Sequence, residues 1–201
     1  MKINVNIPAG VSGDFEIAHY TKDTTDNRWP LYLLHTNEAY DNYTVLLKKG
    51  HSMPLMQDSE AEYNDHKWLW DNAKGDVLIG GLGIGMTHHI LIENPNITSI
   101  TIIEKYQDVI DLVWDNCVKD ERFNLIHADI ETWEIPTDSH WDIGWFDTWI
   151  SDGDWGEYKT NMKEKYGPYI TEINGWSLKE YKNNMIEKYG PYITEINGWC
   201  W

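Results

Sequence analysis

The stretch GDVLIGGLGIGMTHHILIENP, residues 75–95, combines a short apolar run with a cluster of glycines. Gly81, Gly83 and Gly85 follow the run at alternate positions, and a second apolar segment begins directly after them. A strand that ends in glycines and opens a helix offers unpaired backbone N–H groups, and the missing side chains let a ligand approach the main chain. The pattern predicts a loop that binds a nucleotide or nucleoside. A tight turn between strand and helix is the alternative explanation of the glycines.

Three acidic residues end or follow the next apolar runs along the chain. Glu104 ends ITIIE about 20 residues after Gly83, where a carboxylate can accept both hydroxyl groups of a ribose. Asp129 follows FNLIHA and is placed for the exocyclic amine of a base, or else it caps the segment that follows. Asp147 ends WDIGWFD. Because the carboxyl ends of parallel strands meet at one edge of a sheet, we expect the three carboxylates to face one crevice.

Histidines and cysteines show no pattern typical of a metal site. His88 and His89 are adjacent, so on a helix they do not face one ligand together. Cys117 and Cys200 lie far apart, which supports neither a zinc site nor a disulfide framework. The sequence therefore predicts no metal centre.

Apolar runs alternate with amphipathic segments from Asp76 onward. The runs DVLIGG, ITSITIIE, FNLIHAD and WDIGWFD are nearly continuous, as in strands that are buried on both faces. Between them we predict a helix over about 84–94 and another with Val109, Val113 and Cys117 on one side. The alternation predicts an α/β fold, with a mostly parallel sheet covered by helices on both faces.

Residues 1–57 have the pattern of a small antiparallel β module. KINVNI, FEIAHY, LYLLHT and YTVLLKKG are short β-rich runs bounded by turn residues. The next segment, DSEAEYNDHKWLWDNAKG, predicts one helix, because Ser59 and Glu62 form a capping box and His66, Leu69 and Trp70 share a face. We therefore divide the chain into a β-rich module (1–57), a nucleoside-binding core (58–157) and a C-terminal part (158–201).

The C-terminal part contains a tandem repeat. YKTNMKEKYGPYITEINGW, residues 158–176, recurs as YKNNMIEKYGPYITEINGW at 181–199, which indicates a recent duplication or a cloning artefact. Each copy predicts a helix followed, after Gly-Pro, by the strand YITEIN. We expect one copy to pair beside the fourth strand of the sheet. The other copy would extend the sheet edge or pair with a second molecule, giving a homo-oligomer.

Charge and hydropathy limit the partners. Lysine and arginine number 16 against 33 aspartates and glutamates, so the formal net charge is −17. Nucleic acid is an unfavourable partner, because counterion release requires a basic surface. No apolar run approaches the roughly 20 residues that span a bilayer, and the N-terminus lacks the apolar core of a signal peptide. We expect a cytoplasmic protein that acts on a small molecule, such as a cationic amine, without nucleic-acid or membrane partners.

The motifs together resemble the class I S-adenosylmethionine-dependent methyltransferase superfamily, and within it the spermidine synthase-like branch with its phage relatives. The resemblance rests on VLIGGLGIG, ITIIEKYQDVIDLV, LIHADIETW and DIGWFD, together with MQDSEAEYNDH upstream, and covers roughly residues 45–150. Met86 stands where the dinucleotide fingerprint has its third glycine, which favours S-adenosylmethionine over NAD. The resemblance implies a Rossmann-like methyltransferase sheet.

The resemblance also implies a role for each motif. In the family, the glycine loop cradles the methionine part of the cofactor, the acid matching Glu104 holds the ribose, and the acid matching Asp129 contacts adenine. The implied cofactor is S-adenosylmethionine or its decarboxylated form. The predicted cofactor-binding residues are those of the loop, the two acids and the residue after each acid: Gly81, Gly83, Gly85, Glu104, Lys105, Asp129 and Ile130.

Asp147 is the predicted catalytic residue. Spermidine synthases carry Asp-Ser-Ser-Asp after the fourth strand, whereas this chain reads DTWI from Asp147, with Asp152 and Asp154 nearby but out of register. This departure weighs against aminopropyl transfer and leaves Asp147 a simpler role, that of orienting and deprotonating an amine. We predict methyl transfer from S-adenosylmethionine to a small molecule or amine. Aminopropyl transfer and a non-catalytic nucleoside-binding protein are the alternatives, and an NAD-linked oxidoreductase is the least favoured.

Overall fold

A computed structural model describes residues 2–20, 42–51, 54–148 and 155–175. In these residues, four strands form an antiparallel sheet in the order β1-β2-β3-β4: β1 (Gly10–Ser12), β2 (Phe15–Tyr20), β3 (Tyr43–Lys48) and β4 (Met56–Gln57). Five more form a parallel sheet in the order β7-β6-β5-β8-β9: β5 (Gly75–Gly80), β6 (Ile97–Glu104), β7 (Phe123–His127), β8 (Trp141–Phe146) and β9 (Ile170–Gly175). The helices are α1 (Glu60–Asp65), α2 (Lys67–Asn72), α3 (Met86–Leu91), α4 (Gln107–Val113), which continues into a 3-10 turn (Trp114–Asn116), and α5 (Trp155–Tyr166).

The strand order of the parallel sheet reverses between β5 and β8. The chain moves outward from β5 through β6 to β7, then returns to place β8 on the other side of β5, and every pairing is parallel. In open α/β sheets, ligands bind in the crevice at the carboxyl ends of the strands at such a reversal. The predicted α/β class is confirmed: a parallel sheet with the strand order of a doubly wound fold is accompanied by helices, and a separate small antiparallel sheet precedes it.

The central strand β5 is apolar on both faces because each face packs on a different core. Val77 and Ile79 belong to one hydrophobic cluster, which also includes Phe15 and Ile17 of the antiparallel sheet. Leu78 points into the second cluster, together with residues of α5 and β9. All three β5 side chains are 0–1% exposed. This two-sided burial explains why β5 reads as a continuous apolar run rather than an alternating one.

The segment KINVNI was predicted as a strand, and the structure contradicts this, because residues 2–9 form no strand. Hydrogen bonds to its backbone come from side chains and not from a neighbouring strand. The Val5 N–H donates to Asp58 Oδ2 (3.2 Å), and Thr44 Oγ1 donates to the Val5 carbonyl (3.0 Å). Val5 and Ile7 are nevertheless buried. The alternation of apolar residues in this segment therefore reflects burial and not pairing in a sheet. FEIAHY and YTVLLKKG are strands as predicted, and LYLLHT lies outside the described residues.

The single helix predicted upstream of β5 is two short helices. Ser59 caps α1 as predicted, since its Oγ accepts the Glu62 N–H (3.1 Å). The break lies at His66, whose φ and ψ of −88° and 4° leave the helical region. The ring Nδ1 of His66 bonds the Glu62 carbonyl (2.9 Å), which holds the imidazole against the break. The second predicted helix is also shorter than expected, because Gly85 has a φ of 70° and α3 begins only at Met86.

The first copy of the C-terminal repeat supplies α5 and β9. β9 pairs with β8 in parallel, in a register that matches Ile143 with Glu172. The expectation that one copy takes the place beside the fourth strand of the parallel sheet is therefore confirmed. The second copy lies outside the described residues. Within the described part of the chain, no helix is both long and apolar enough to cross a bilayer.

Candidate functional site

The predicted site residues lie along the carboxyl edge of the parallel sheet. The loop after β5 is held at this edge by the Gly81 N–H, which donates to the Ile103 carbonyl (2.8 Å), and by the Leu82 N–H, which donates to Glu104 (2.8 Å). On the other side, the Asp147 N–H donates to the Gly80 carbonyl (3.4 Å). The ends of β6, β5 and β8 are thus joined directly by hydrogen bonds through the glycine loop.

All three loop glycines adopt a left-handed backbone. Their φ angles are 93° at Gly81, 55° at Gly83 and 70° at Gly85, values that disfavour any residue with a side chain. Neighbouring protein atoms also occupy the space where a side chain would start. A Cβ at Gly83 would collide with the Sδ atom of Met56, and one at Gly85 with the Sγ atom of Cys117. The left-handed backbone therefore disfavours a side chain at these two positions, and a Cβ would in addition force the Met56 or Cys117 side chain to move.

Glu104 ties the glycine loop to the end of β6. Its side chain is buried, and its two oxygens accept the N–H groups of Leu82 and Tyr106 (both 2.8 Å). Burial raises the pKa of Glu104, while the two N–H groups act in the opposite direction. Carboxylate oxygens have more than one acceptor direction each, so these two bonds leave acceptor capacity for hydroxyl groups.

Asp129 and Lys105 form an ion pair at the ends of β7 and β6. The distance from Lys105 Nζ to Asp129 Oδ2 is 2.8 Å, and Asp129 Oδ1 accepts the Glu131 N–H (3.0 Å). Burial opposes the charged form of Asp129, but these two contacts outweigh it and lower the pKa of the carboxyl. The cap of the following turn, one of the two predicted roles of Asp129, is thus present. Ile130, the next residue, is buried in the second core cluster.

Asp147 contacts His66, a residue that was not among the predicted site residues. The Nε2 atom of His66 lies 3.2 Å from Asp147 Oδ2, and Glu62 Oε1 lies 3.9 Å from the other ring nitrogen of His66. The His66 side chain is 2% exposed, whereas those of Glu62 and Asp147 are 18% and 23% exposed. A cluster of two carboxylates around one imidazole therefore opens toward the crevice at the end of β8.

Aromatic rings fix the orientation of the His66 imidazole. It stacks on Trp70 with ring centroids 5.4 Å apart, and Trp145 of β8 lies 5.2 Å away. Burial opposes the charged imidazolium, but the hydrogen bond and the charge of Asp147 outweigh it and raise the pKa of His66. The hydrogen bond from this ring in turn orients the Asp147 carboxylate.

The spacing of Glu62 and His66 indicates a pair of neighbouring side chains, although it does not place the pair in the site. They are four residues apart in the segment predicted as one helix, and such pairs face the same side. The sequence pattern instead places His66 on an apolar face, because Leu69 and Trp70 share it. What no local pattern revealed was the contact with Asp147, which the fold creates between the α1–α2 break and the end of β8.

Two further histidines differ in position: His88 lies away from the carboxyl edge of the sheet, whereas His127 lies at this edge, opposite Glu104 in the pairing of β6 and β7. His88 is buried in α3 against Phe123 and Trp114, with centroids 4.8 and 5.6 Å from its own ring. His127 bonds the Lys105 carbonyl through its Nε2 (3.1 Å). Asp152 and Asp154 lie outside the described residues.

Comparisons with known proteins give similarities at the level of solved structures only. No protein-family model matches the sequence, and no curated protein matches it significantly. The chain is similar to spermidine synthase from Thermotoga maritima, with 16% identity, a TM-score of 0.45, and coverage of 78% of this chain and 50% of that one. It is also similar to a dimethyladenosine transferase from Plasmodium falciparum, with 14% identity, a TM-score of 0.43, and coverage of 64% and 45%.

A third similar structure is the N-methyltransferase NodS from Bradyrhizobium japonicum, with 17% identity, a TM-score of 0.38, and coverage of 53% and 63%. The chain spans about half the length of the first two proteins. At these identities and TM-scores, the similarities carry no conclusion about the activity or substrate of this chain.

Proposed function

We propose that the protein binds S-adenosylmethionine and transfers its methyl group to a small nucleophilic acceptor, such as an amine. The observation that carries this proposal is the connected row of polar groups at the reversal of the strand order. The row runs from Asp147 through the glycine loop and Glu104 to the Lys105–Asp129 pair. It crosses the ends of four adjacent strands in the place where α/β sheets bind nucleosides.

Each part of the row suits one part of the cofactor. The backbone of the glycine loop would lie against the methionine part, and Glu104 would accept the ribose hydroxyl groups with its remaining lone pairs. Asp129, held by Lys105, would face the adenine. This arrangement leaves Asp147 and His66 at the far end of the row, beside the reactive sulfonium.

The chemistry requires positioning more than covalent help. The acceptor's lone pair would form a bond to the methyl carbon while the carbon–sulfur bond breaks and its electron pair returns to sulfur, giving S-adenosylhomocysteine. The acceptor's proton would pass to the Asp147 carboxylate or to water.

Calorimetric titration with S-adenosylhomocysteine, S-adenosylmethionine and NAD tests the proposal. We expect saturable binding of both sulfur nucleosides and none of NAD. With a panel of primary amines as acceptors, Asp147→Asn should lower the rate of S-adenosylhomocysteine formation while leaving nucleoside binding intact. If neither sulfur nucleoside binds, the cofactor assignment is wrong. If both bind but no acceptor is methylated, the alternative of a non-catalytic nucleoside-binding protein is favoured, and decarboxylated S-adenosylmethionine becomes the next donor to test.

A further inference from the structure

We propose that Glu62, His66 and Asp147 bind a divalent transition-metal ion such as Zn²⁺ or Mn²⁺. Each residue offers one ligand atom, and these atoms all lie within 4.8 Å of one another. One imidazole with two carboxylates is a mixed nitrogen and oxygen set, which suits these ions better than the all-oxygen set preferred by Ca²⁺ or Mg²⁺.

The distance between His66 and Asp147 fits two neighbouring ligands of one ion. Bonds of about 2.0–2.2 Å that meet at angles of roughly 90–109° place the two ligand atoms about 3–3.5 Å apart. The observed separation between His66 Nε2 and Asp147 Oδ2 is 3.2 Å. Glu62 Oε1 lies near the opposite ring nitrogen, so its partly exposed side chain must rotate to complete the set.

The hydrogen bond on the other side of the imidazole selects the nitrogen that would bind the ion. His66 Nδ1 lies 2.9 Å from the Glu62 carbonyl oxygen, an atom that can only accept, so Nδ1 carries a proton. Nε2 is the atom that faces Asp147, and the ion would take the place of the proton that Nε2 shares with that carboxylate, so its binding would release a proton. A histidine that donates its second N–H to a backbone carbonyl is the usual arrangement at metal sites, because the bond fixes both tautomer and ring orientation.

The site would be open on one side. Three protein ligands leave at least one coordination position free, as in catalytic rather than structural metal sites. The two partly exposed carboxylates lie on the side of the crevice, and the indole rings of Trp70 and Trp145 cover the imidazole. If the proposed methyl transfer is correct, the open position would hold the acceptor's oxygen or nitrogen and make it easier to deprotonate. The binding of the ion itself does not depend on that function.

Titration of the full chain with ZnCl₂, MnCl₂, CoCl₂ and MgCl₂, without nucleoside, tests the site. We expect one transition ion per chain and a visible absorption band of bound Co²⁺ that Zn²⁺ displaces. Glu62→Gln and Asp147→Asn should each lower the affinity for Zn²⁺ at least tenfold. The exposed His140, at the opposite end of β8, provides the matched control, and His140→Gln should bind the ion as the wild type does.

The choice of variants keeps the test decisive. His66 is buried and its replacement could disturb folding, whereas Glu62→Gln and Asp147→Asn preserve shape at partly exposed positions, and circular dichroism checks that they fold. The absence of saturable binding, or wild-type affinity in both variants, would overturn the proposal. S-adenosylhomocysteine binding in the presence of EDTA is measured separately, so a failure of the metal site is distinguished from a failure of the proposed cofactor site.

Discussion

Glu104 is the residue on which the proposed cofactor site depends most directly. Its two oxygens already accept the N–H groups of Leu82 and Tyr106, so it shapes the glycine loop and would also hold the ribose. Glu104→Gln replaces one acceptor oxygen by an NH₂ group, which then faces a backbone donor. We expect the affinity for S-adenosylhomocysteine, measured by calorimetry, to fall by about 1.5–3 kcal/mol, the range for hydrogen bonds to a charged group.

Glu93→Gln is the control for this substitution, since Glu93 is exposed and lies between α3 and β6, before the strand that Glu104 ends. It should bind the nucleoside as the wild type does. Wild-type affinity in Glu104→Gln would show that the ribose is held elsewhere and that Glu104 serves only the loop.

Single residues also show how far the sequence could lead to the site. Glu104, Asp129 and Asp147 were placed at one edge because each ends or follows an apolar run, and this rule needs only the strand direction. His66 could not be placed with them, since its contact with Asp147 depends on where a helix break meets the end of β8. The glycines of the loop illustrate the opposite case. Their spacing predicts a ligand-binding loop, and the structure shows that their left-handed backbone favours glycine independently of any ligand.

Among the helices, α3 carries a titratable group with a large expected effect on stability. His88 is fully buried there, and neither of its ring nitrogens has a hydrogen-bond partner in the described structure. Burial lowers the pKa of His88 to about 3, with smaller contributions from Lys119 and His89, against an ordinary value of 6.5. Between these values, the unfolded chain binds a proton that the folded chain does not. The contribution of His88 to the free energy of unfolding therefore decreases as the pH falls from about 6.5 toward 3.

His88→Phe isolates this effect, because wild type and variant share all other titrating groups. The phenyl ring can keep the stack on Phe123 without a proton-binding site. From pH 7 to pH 4.5 we expect the stability of His88→Phe relative to wild type to rise by roughly 2–3 kcal/mol, as about 1.4 kcal/mol per pKa unit predicts. Urea denaturation at several pH values measures the difference. Parallel pH profiles for the two proteins would contradict the buried, neutral state of His88.

The sequence predicted the helices and strands correctly where the buried apolar residues also belong to a strand of the sheet. The strands β5 to β9 and the helix–strand unit of the first repeat follow from apolar runs separated by amphipathic or Gly-Pro segments. The prediction failed for KINVNI, where Asp58 and Thr44 satisfy the backbone of Val5 through long-range contacts. The sequence pattern also predicted α1 and α2 as one helix. The apolar face continues across the break at His66, and the spacing of apolar residues does not reveal a change in backbone angles.

For the molecule as a whole, the repeat raises the question of whether one copy is sufficient. The first copy completes the second core cluster through Met162, Tyr166 and Ile170, which are 0–6% exposed. Tyr166 also donates its hydroxyl to the Ile130 carbonyl (2.6 Å), which ties α5 to the segment after β7. The second copy carries identical residues at the matching positions, Met185, Tyr189 and Ile193. It therefore has the side chains that the same place beside β8 requires.

Deletion of residues 158–180 removes one period and joins Glu157 to Tyr181, so that the second copy follows α5's first residues directly. Because the buried positions are unchanged, we expect a folded protein that binds S-adenosylhomocysteine with wild-type affinity. Deletion of 177–201 should give the same result, since it leaves the first copy in place, and deletion of 158–201 should abolish cooperative unfolding by removing both.

Each of the two single deletions lacks one potential edge strand that the wild type has. Size-exclusion chromatography of these variants and the wild type therefore tests whether the extra copy promotes self-association. If the deletion of 158–180 unfolds the chain while that of 177–201 does not, the two copies are not interchangeable. The residues that differ between them, such as Lys163 and Ile186, would then determine which copy completes the sheet.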